Sequence, residues 1–334
     1  MATLAARVTA LAQAVGADIK ALAASVAGKA AKGANKDITS IESLTTPLSI
    51  GQGGTGSANA AGARLNIGAV DASMPAMRNA FINGGLFINQ RAFAGGSLAA
   101  GVYGFDRWKA GPNGASLTIS GATITLSSGA IVQVIEADTA AYMAGKSATF
   151  SVEDPSATIS VAMAFSTTDT TAVSGTIAAG SGRRGVTLAL PAGTGNLTVT
   201  VSVSASTTFK RLQLELGVVA TGWDARPIAL EFQLCKRYCF RIQRGSVFAP
   251  TAVRGIMIVE YDPMRISPSA TATGAVTITD TSNDYTQSAA GIVVSYLSTT
   301  GGQIYFDGFS GLTAYRIYIA HGSKGGAVIL DAEL

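Results

Sequence analysis

At 334 residues the chain is long enough for two or three domains, and only 13% of it is charged, with Ala, Gly, Ser and Thr dominating. The 48% hydrophobic fraction is inflated by Ala, and no apolar run approaches the roughly 20 residues that span a bilayer, so a helical membrane protein is not expected. The net charge of +4 resides in residues 1–36 (Arg7, Lys20, Lys29, Lys32 and Lys36 against Asp18); the remaining 19 bases and 19 acids balance, which leaves no electrostatic footprint for nucleic acid.

Residues 1–28 read as a helix. Leu4, Val8, Leu11, Val15, Ile19, Leu22 and Val26 are spaced 4, 3, 4, 4, 3, 4, a pattern that repeats every 11 residues and favours a straight or slightly right-handed bundle. One such stripe on an isolated helix is marginal, so it needs a partner: other copies of itself, or another protein. With Arg7 as the only early base, and Gln13 and Asp18 interrupting the apolar residues, this segment makes a poor secretory leader. The chain is therefore expected to be made and kept in the cytoplasm until it assembles.

Residues 29–78 change texture. Gly33, Gly51, Gly53, Gly54, Gly56, Gly62, Gly68 and Pro47 leave no room for a compact core and suit close chain approach. The run Gly53-Gly54-Thr55-Gly56 lacks the Lys-Ser/Thr pair of a phosphate loop and the spacing of a dinucleotide loop. Residues 58–65 are expected to form one or two helical turns.

Residues 79–216 read as β-structure. Apolar and Ser/Thr residues alternate at 117–120, 123–126, 131–135, 148–152, 158–161, 185–190 and 197–201, separated by turn signals such as Pro112-Asn113-Gly114 and Asp154-Pro155. Short strands at this spacing predict a sandwich or jelly roll. Asp106-Arg107-Trp108 is placed in a strand, with Asp106 and Arg107 as structural polar groups. Trp108 is a core residue or a platform for a sugar ring.

The stretch 212–239 divides two β regions. Leu212, Leu214 and Leu216 alternate with Gln213 and Glu215 as a strand would, and Trp223 follows in the connection. After Pro227 the strong helix formers of 228–239 predict a short helix, which would set Cys235 and Cys239 on one face as semi-buried thiols rather than as a disulfide or a zinc site. Residues 240–334 form a second β unit, with strands expected at 253–261, 275–280, 291–298, 303–306, 315–320 and 327–330. Six of the nine tyrosines lie here, as does His321, the only histidine, read as part of a Gly-flanked turn. Tyr285, Tyr296, Tyr305, Phe309, Tyr315 and His321 are the candidate ligand contacts, with Trp108 and Trp223 as candidates in the first β unit.

No catalytic constellation is evident. His321 has no serine elbow to serve, and Glu136 with Asp138, and Asp280 with Asp284, are acid pairs by proximity only, ordinarily turn residues. No repeat of 20 to 50 residues marks a β-helix. Neither metal nor cofactor is expected.

Four segments carry a family resemblance. Gln52-Gly53-Gly54-Thr55-Gly56 followed by Ala63-Arg64-Leu65-Asn66-Ile67-Gly68 resembles a shaft segment of bacteriophage tail fibres, with Ile67 where Leu is usual. Ile88-Asn89-Gln90-Arg91 followed by Tyr103, Asp106, Arg107 and Trp108 resembles a tail-fibre module that in turn looks like a carbohydrate-binding jelly roll, over roughly residues 79–227. Leu212, Leu214, Glu215, Gly217, Ala220, Thr221, Arg226, Pro227, Glu231, Leu234, Cys235, Arg237 and Tyr238 match a junction common in these fibres, with Gly222-Trp223-Asp224 in place of the usual Pro-Phe-Glu. Tyr261 to Pro268 and the terminal Asp331-Ala332-Glu333-Leu334 resemble the C-terminal knob.

The expected fold is mostly β: an N-terminal α-helical bundle segment (1–36), a Gly-rich collar or shaft (37–78), a carbohydrate-binding-module-like β-sandwich (79–228), and a short helix with a C-terminal β-sandwich tip (229–334). The resemblance implies a homotrimeric, non-enzymatic receptor-binding fibre on a virion. It would join a tail or baseplate protein through its N-terminal segment and hold a host surface polysaccharide or protein. A head fibre with the same role, or a polysaccharide depolymerase, are the alternatives.

Overall fold

The computed structural model describes residues 1–27, 46–49, 54–57, 63, 78–167, 171–289, 291–322 and 324–334. The chain divides into two units, Met1–Asn66 and Ile67–Leu334. Most of the expected collar, and the helical turns expected at 58–65 apart from Ala63, lie outside the described residues.

In the first unit, α1 (Leu4–Ala27) is a 24-residue helix. Thr3 starts it: its Oγ1 accepts from the Ala6 amide at 3.3 Å and its carbonyl from the Arg7 amide at 3.1 Å. All seven residues of the apolar stripe are exposed, from 47% at Val15 to 79% at Leu4. Farther on, the Gly54 amide donates to the Ser49 carbonyl and the Gly56 amide to the Leu48 carbonyl, closing a turn so tight that a Cβ on Gly54 would sit 2.3 Å from Leu48. Glycine is required there by contact as well as by freedom.

The second unit holds two hydrophobic cores. Around the first are β1 (Gly96–Leu98), β2 (Lys109–Ser120), β3 (Thr123–Ile135), the short α2 (Ala137–Ala140), β4 (Ser147–Glu153), β5 (Ile159–Phe165), β6 (Val173–Ile177), β7 (Arg183–Ala189), β8 (Leu197–Val203) and β9 (Thr207–Leu216). The seven alternating stretches expected as strands fall on these. One layer runs β1-β2-β3-β8-β5-β6, the other β7-β4-β9, and every pairing is antiparallel. Strand β9 belongs to both: Thr207 to Phe209 pair with β3, and from Lys210 onward it pairs with β4. The register shift between these halves spans Arg211, whose φ of 55° marks the bend that turns the strand from one layer to the other. Alternation places Leu197, Val199 and Val201 of β8 in the core with Phe81, Trp108, Phe150 and Phe209. Asp106-Arg107-Trp108 departs from the expected strand. It is a turn leading into β2, with Arg107 at φ 71° and the Trp108 amide donating to the Phe105 carbonyl at 3.0 Å.

Helix α3 (Ile228–Lys236) opens the second half and ends sooner than its helix formers suggest. Cys239 already begins β10 (Cys239–Ile242), so the two cysteines do not share a helical face. Both are buried and free, and burial pushes both thiols up. Then come β11 (Arg244–Ala249), β12 (Arg254–Glu260), β13 (Ser269–Ala272), β14 (Thr277–Thr279), β15 (Asp284–Thr286), β16 (Val294–Leu297), β17 (Gly301–Asp307), β18 (Arg316–His321) and β19 (Val328–Asp331). A three-stranded sheet, β10-β19-β13, accompanies a seven-stranded one, β15-β14-β18-β11-β12-β17-β16. Val247, Met257, Ile278, Ile304, Phe306, Tyr318 and Leu330 form the core. His321 is the last residue of β18 rather than part of the turn that follows.

Candidate functional site

Among the described residues, three places concentrate polar or aromatic side chains. The first is the joint between the two cores. Gln90 donates to Asp106 twice, from its amide (2.8 Å) and its side chain (2.7 Å), and to the Cys239 carbonyl at 2.5 Å. Arg107 donates through its side chain to Glu333 and to the Val134 carbonyl (2.5 Å), and through its amide to Glu333 (3.0 Å). Its guanidinium lies 3.6 Å from the centre of the Tyr238 ring. Arg91 bridges Asp331 at 2.7 Å and Glu333 at 3.5 Å, Lys109 donates to the Leu334 carbonyl at 2.6 Å, and Arg265 donates to the carbonyls of Ala332 and Glu333 at 2.8 Å each. Burial pushes the Asp106 carboxyl up to about 6 against the hydrogen bonds from Gln90 and the charge of Arg91. These groups are committed to each other, and their chemistry is that of a fastening.

Members of the acid pairs are also engaged. Glu136 meets Arg237 at 3.1 Å, and Asp280 accepts from the amides of Ser282 (3.1 Å) and Asn283 (2.8 Å), closing a turn. Those amide bonds, Asn283 foremost, hold the Asp280 carboxyl below its usual range.

The second place is the outer face of the seven-stranded sheet. Burial alternates along β18: Tyr318 and Ala320 point into the core, Ile317 and Ile319 out. The register carries this across the sheet, so that Val294, Tyr305, Ile256, Phe248 and Ile317 follow one another on five neighbouring strands. Tyr296 and Tyr305 meet edge to face at 5.7 Å, and Tyr315 lies 6.4 Å from Phe248.

The third place adjoins that face at the His321 end. Arg244 and His321 are directly opposite in register. With Lys324 they line a cavity of about 440 Å³ that also takes in Thr279, Thr281, Ser282, Asp284 and Ile319. Lys324 pairs with Asp284 at 2.6 Å, and this bond holds the Asp284 carboxyl below its usual range. Arg244 and Lys324 against Asp284, with His321 and the hydroxyls between, make a cavity suited to an anionic, hydroxyl-bearing ligand.

The sequence candidates scatter. Tyr296, Tyr305 and Tyr315 share the outer face, and His321 lines the cavity. Tyr285 is half-buried and leans edge to face on Tyr318 at 5.3 Å, with its hydroxyl 3.3 Å from Asp280. Phe309 is no exposed tip residue; it is buried in the second core, its amide donating to the Val253 carbonyl at 3.1 Å. Trp108 is fully buried and donates from Nε1 to the Asn83 carbonyl at 2.9 Å, which leaves no ring face for a sugar. Trp223 is half-buried beside the Arg183 guanidinium at 5.7 Å, far along the chain from the other candidates. Sequence reasoning missed Arg244, Lys324 and Thr279, which lie on separate strands and turns, and the aliphatic members of the outer face. The latter left a signal: 317–320 and 256–259 are apolar in both phases of the alternation, as in strands covered on both faces.

No family model and no curated protein matches the chain. Among solved structures, the N-terminal CBM22-1-CBM22-2 tandem domain of Paenibacillus barcinonensis Xyn10C is similar at 12% identity and a TM-score of 0.25, over 73% of this chain and 99% of that one.

Proposed function

We propose that the chain is a receptor-binding fibre protein of a bacteriophage virion that holds an anionic glycan of the host surface at the Arg244–His321 cavity. The observation that carries the ligand class is the cavity itself: Arg244 opposite His321, Lys324 beside them, and the hydroxyls of Thr279, Thr281 and Ser282 around about 440 Å³. A guanidinium fork suits a sugar carboxylate, and the hydroxyls suit the ring substituents. The resemblance to tail-fibre shaft, module, junction and knob segments supports the setting. So does the bare stripe of α1, which suits a bundle of copies and attachment to the tail or baseplate. Several identical sites then act together, and avidity raises overall binding by roughly 10² to 10⁴ over one weak site. The protein binds its glycan without cleaving it, and it is assembled in the host cytoplasm before joining the virion.

The test is binding of the full chain and its Arg244→Ala variant to immobilised acidic polysaccharide from host cells, before and after chemical reduction of the carboxylates, with the polysaccharide sized afterwards. Binding should fall at least about tenfold with the variant and with the reduced polymer. Equal binding to both polymers removes the anionic-ligand reading. A shortened polymer replaces the adhesin with a depolymerase.

A further inference from the structure

The geometry points to the outer face of the seven-stranded sheet as an interface between copies of this chain, with Tyr296, Tyr305 and Tyr315 as contacts to a second copy rather than to a ligand. Ile258, Tyr296 and Ile317 are each 65% exposed and Tyr315 81%, with Ile319 and Val294 also open and Phe248, Ile256 and Tyr305 filling between them. Together they leave on the order of 700 Å² of largely apolar surface, close to the roughly 800 Å² that each partner gives to a standard interface and above the few hundred Å² that monomers leave bare.

Antiparallel sheets with one solvated face alternate apolar and polar residues, and this one does not. Along β12, Ile256 and Ile258 face out while Met257 and Val259 face the core; along β18, Ile317 and Ile319 face out while Tyr318 and Ala320 face in. Both faces are written for burial, yet among the described residues nothing covers the outer one.

Charge selects the occupant. Away from the cavity at its His321 end, the base on this face is Arg254, held bidentately by Asp307 at 2.6 and 2.7 Å, with Glu260 as a further acid. A strongly charged partner finds no complement there. A second copy brings the same sparse charge and meets little repulsion. The same chain carries a second bare apolar surface, the 11-residue stripe of α1, whose repeat is that of helices packed along a common axis. Self-association covers both.

This goes beyond the glycan reading, and the test leaves Arg244 and His321 unaltered so that the two fail separately. Sedimentation equilibrium of the full chain is compared with three variants: Val8→Lys with Val15→Lys on the helix, Ile258→Lys with Ile317→Lys on the sheet face, and all four together. The helix variant should stay associated at high concentration. The face variant should associate at least about tenfold more weakly than the unaltered chain, and the fourfold variant should be monomeric. A helix variant that is monomeric at every concentration overturns the proposal, as does a fourfold variant that associates like the helix variant. A face variant of unchanged mass that no longer binds host cells also overturns it, and makes the face a receptor surface. Circular dichroism checks the fold of each; should the lysine pair unfold the domain, Tyr296→Ser with Tyr315→Ser reads the same face.

Discussion

The joint between the two cores and the outer face of the seven-stranded sheet depart from the usual distribution of side chains in opposite directions. At the joint, charge is buried: Asp106, Arg107 and the Glu333 side chain are almost wholly out of water. On the sheet face hydrocarbon is exposed, with isoleucines and tyrosines facing solvent on neighbouring strands. The joint closes within one chain, because each charge there meets an opposite charge or a carbonyl. The face stays open because its neighbours along the sheet are also apolar and point the same way. A buried ion pair gains little net stability over a well-packed apolar contact, and its worth is in fixing one geometry. An exposed apolar face gains nothing until something covers it. The two regions therefore divide the work: one fixes how the halves of the second unit meet, the other leaves association to be settled between molecules.

The largest effect expected from this comparison comes from breaking the joint on one side. Glu333→Ala removes the carboxylate that takes the Arg107 amide and guanidinium, and leaves the guanidinium with the Val134 carbonyl and the Tyr238 ring alone. Removing one partner of a buried pair costs about 3–5 kcal/mol. Chemical denaturation should show that loss. A cost under about 1 kcal/mol would mean that water reaches the joint and that the halves are not fastened there.

How much of this was legible in the sequence depends on the range of the contacts. Local periodicity is enough for α1 and for strands such as β8, where Leu197, Val199 and Val201 alternate with threonines. The two-sandwich, mostly β fold follows from such stretches. It is not enough for β11 (Arg244–Ala249), with few large apolar residues, or for Cys239, which the helix formers before it draw into the wrong element. The joint pairs residues more than 220 positions apart, Arg107 with Glu333, and the cavity pairs Arg244 with His321 across a strand register that no local pattern encodes. Phe309 shows the same limit: between Gly308 and Ser310 it reads as a loop tip, but the loop folds back on Gly255, whose missing side chain makes room for the ring.

A second, smaller effect sharpens the joint by its response to pH. The Asp106 carboxyl ordinarily ionises at 3.8 and is pushed by burial up to about 6. Between those values the folded chain holds a proton that the unfolded chain has released, so this group makes stability fall as pH rises from about 4 to about 6. The size is about 3 kcal/mol, from roughly 1.4 kcal/mol per pH unit. Asp106→Asn, which keeps an acceptor for the Gln90 amide, should flatten that part of the stability profile. An unchanged slope would assign it to other groups, of which Glu231, also raised by burial, is the nearest alternative.

The smallest effect has the opposite sign and lies on the open face. Tyr315 has φ 62°, a left-handed conformation that costs a non-glycine residue about 1–2 kcal/mol, while its ring is 81% exposed. Its amide still donates to the Ala249 carbonyl at 2.7 Å, so the backbone is held whatever the side chain is. Within one chain the ring returns little for that strain, since it is 81% exposed and meets the Phe248 ring only at 6.4 Å. Tyr315→Gly should therefore leave the unfolding free energy of dilute, dissociated protein unchanged or raise it by up to about 1 kcal/mol, after the entropy of the added glycine is offset. The same variant should weaken association at high concentration, because the strained aromatic is kept for what it touches on another copy. A drop of more than about 1 kcal/mol in the dissociated protein would show that the ring already packs within its own chain, and Tyr315 would then belong with Phe309 as a core residue read from the wrong side.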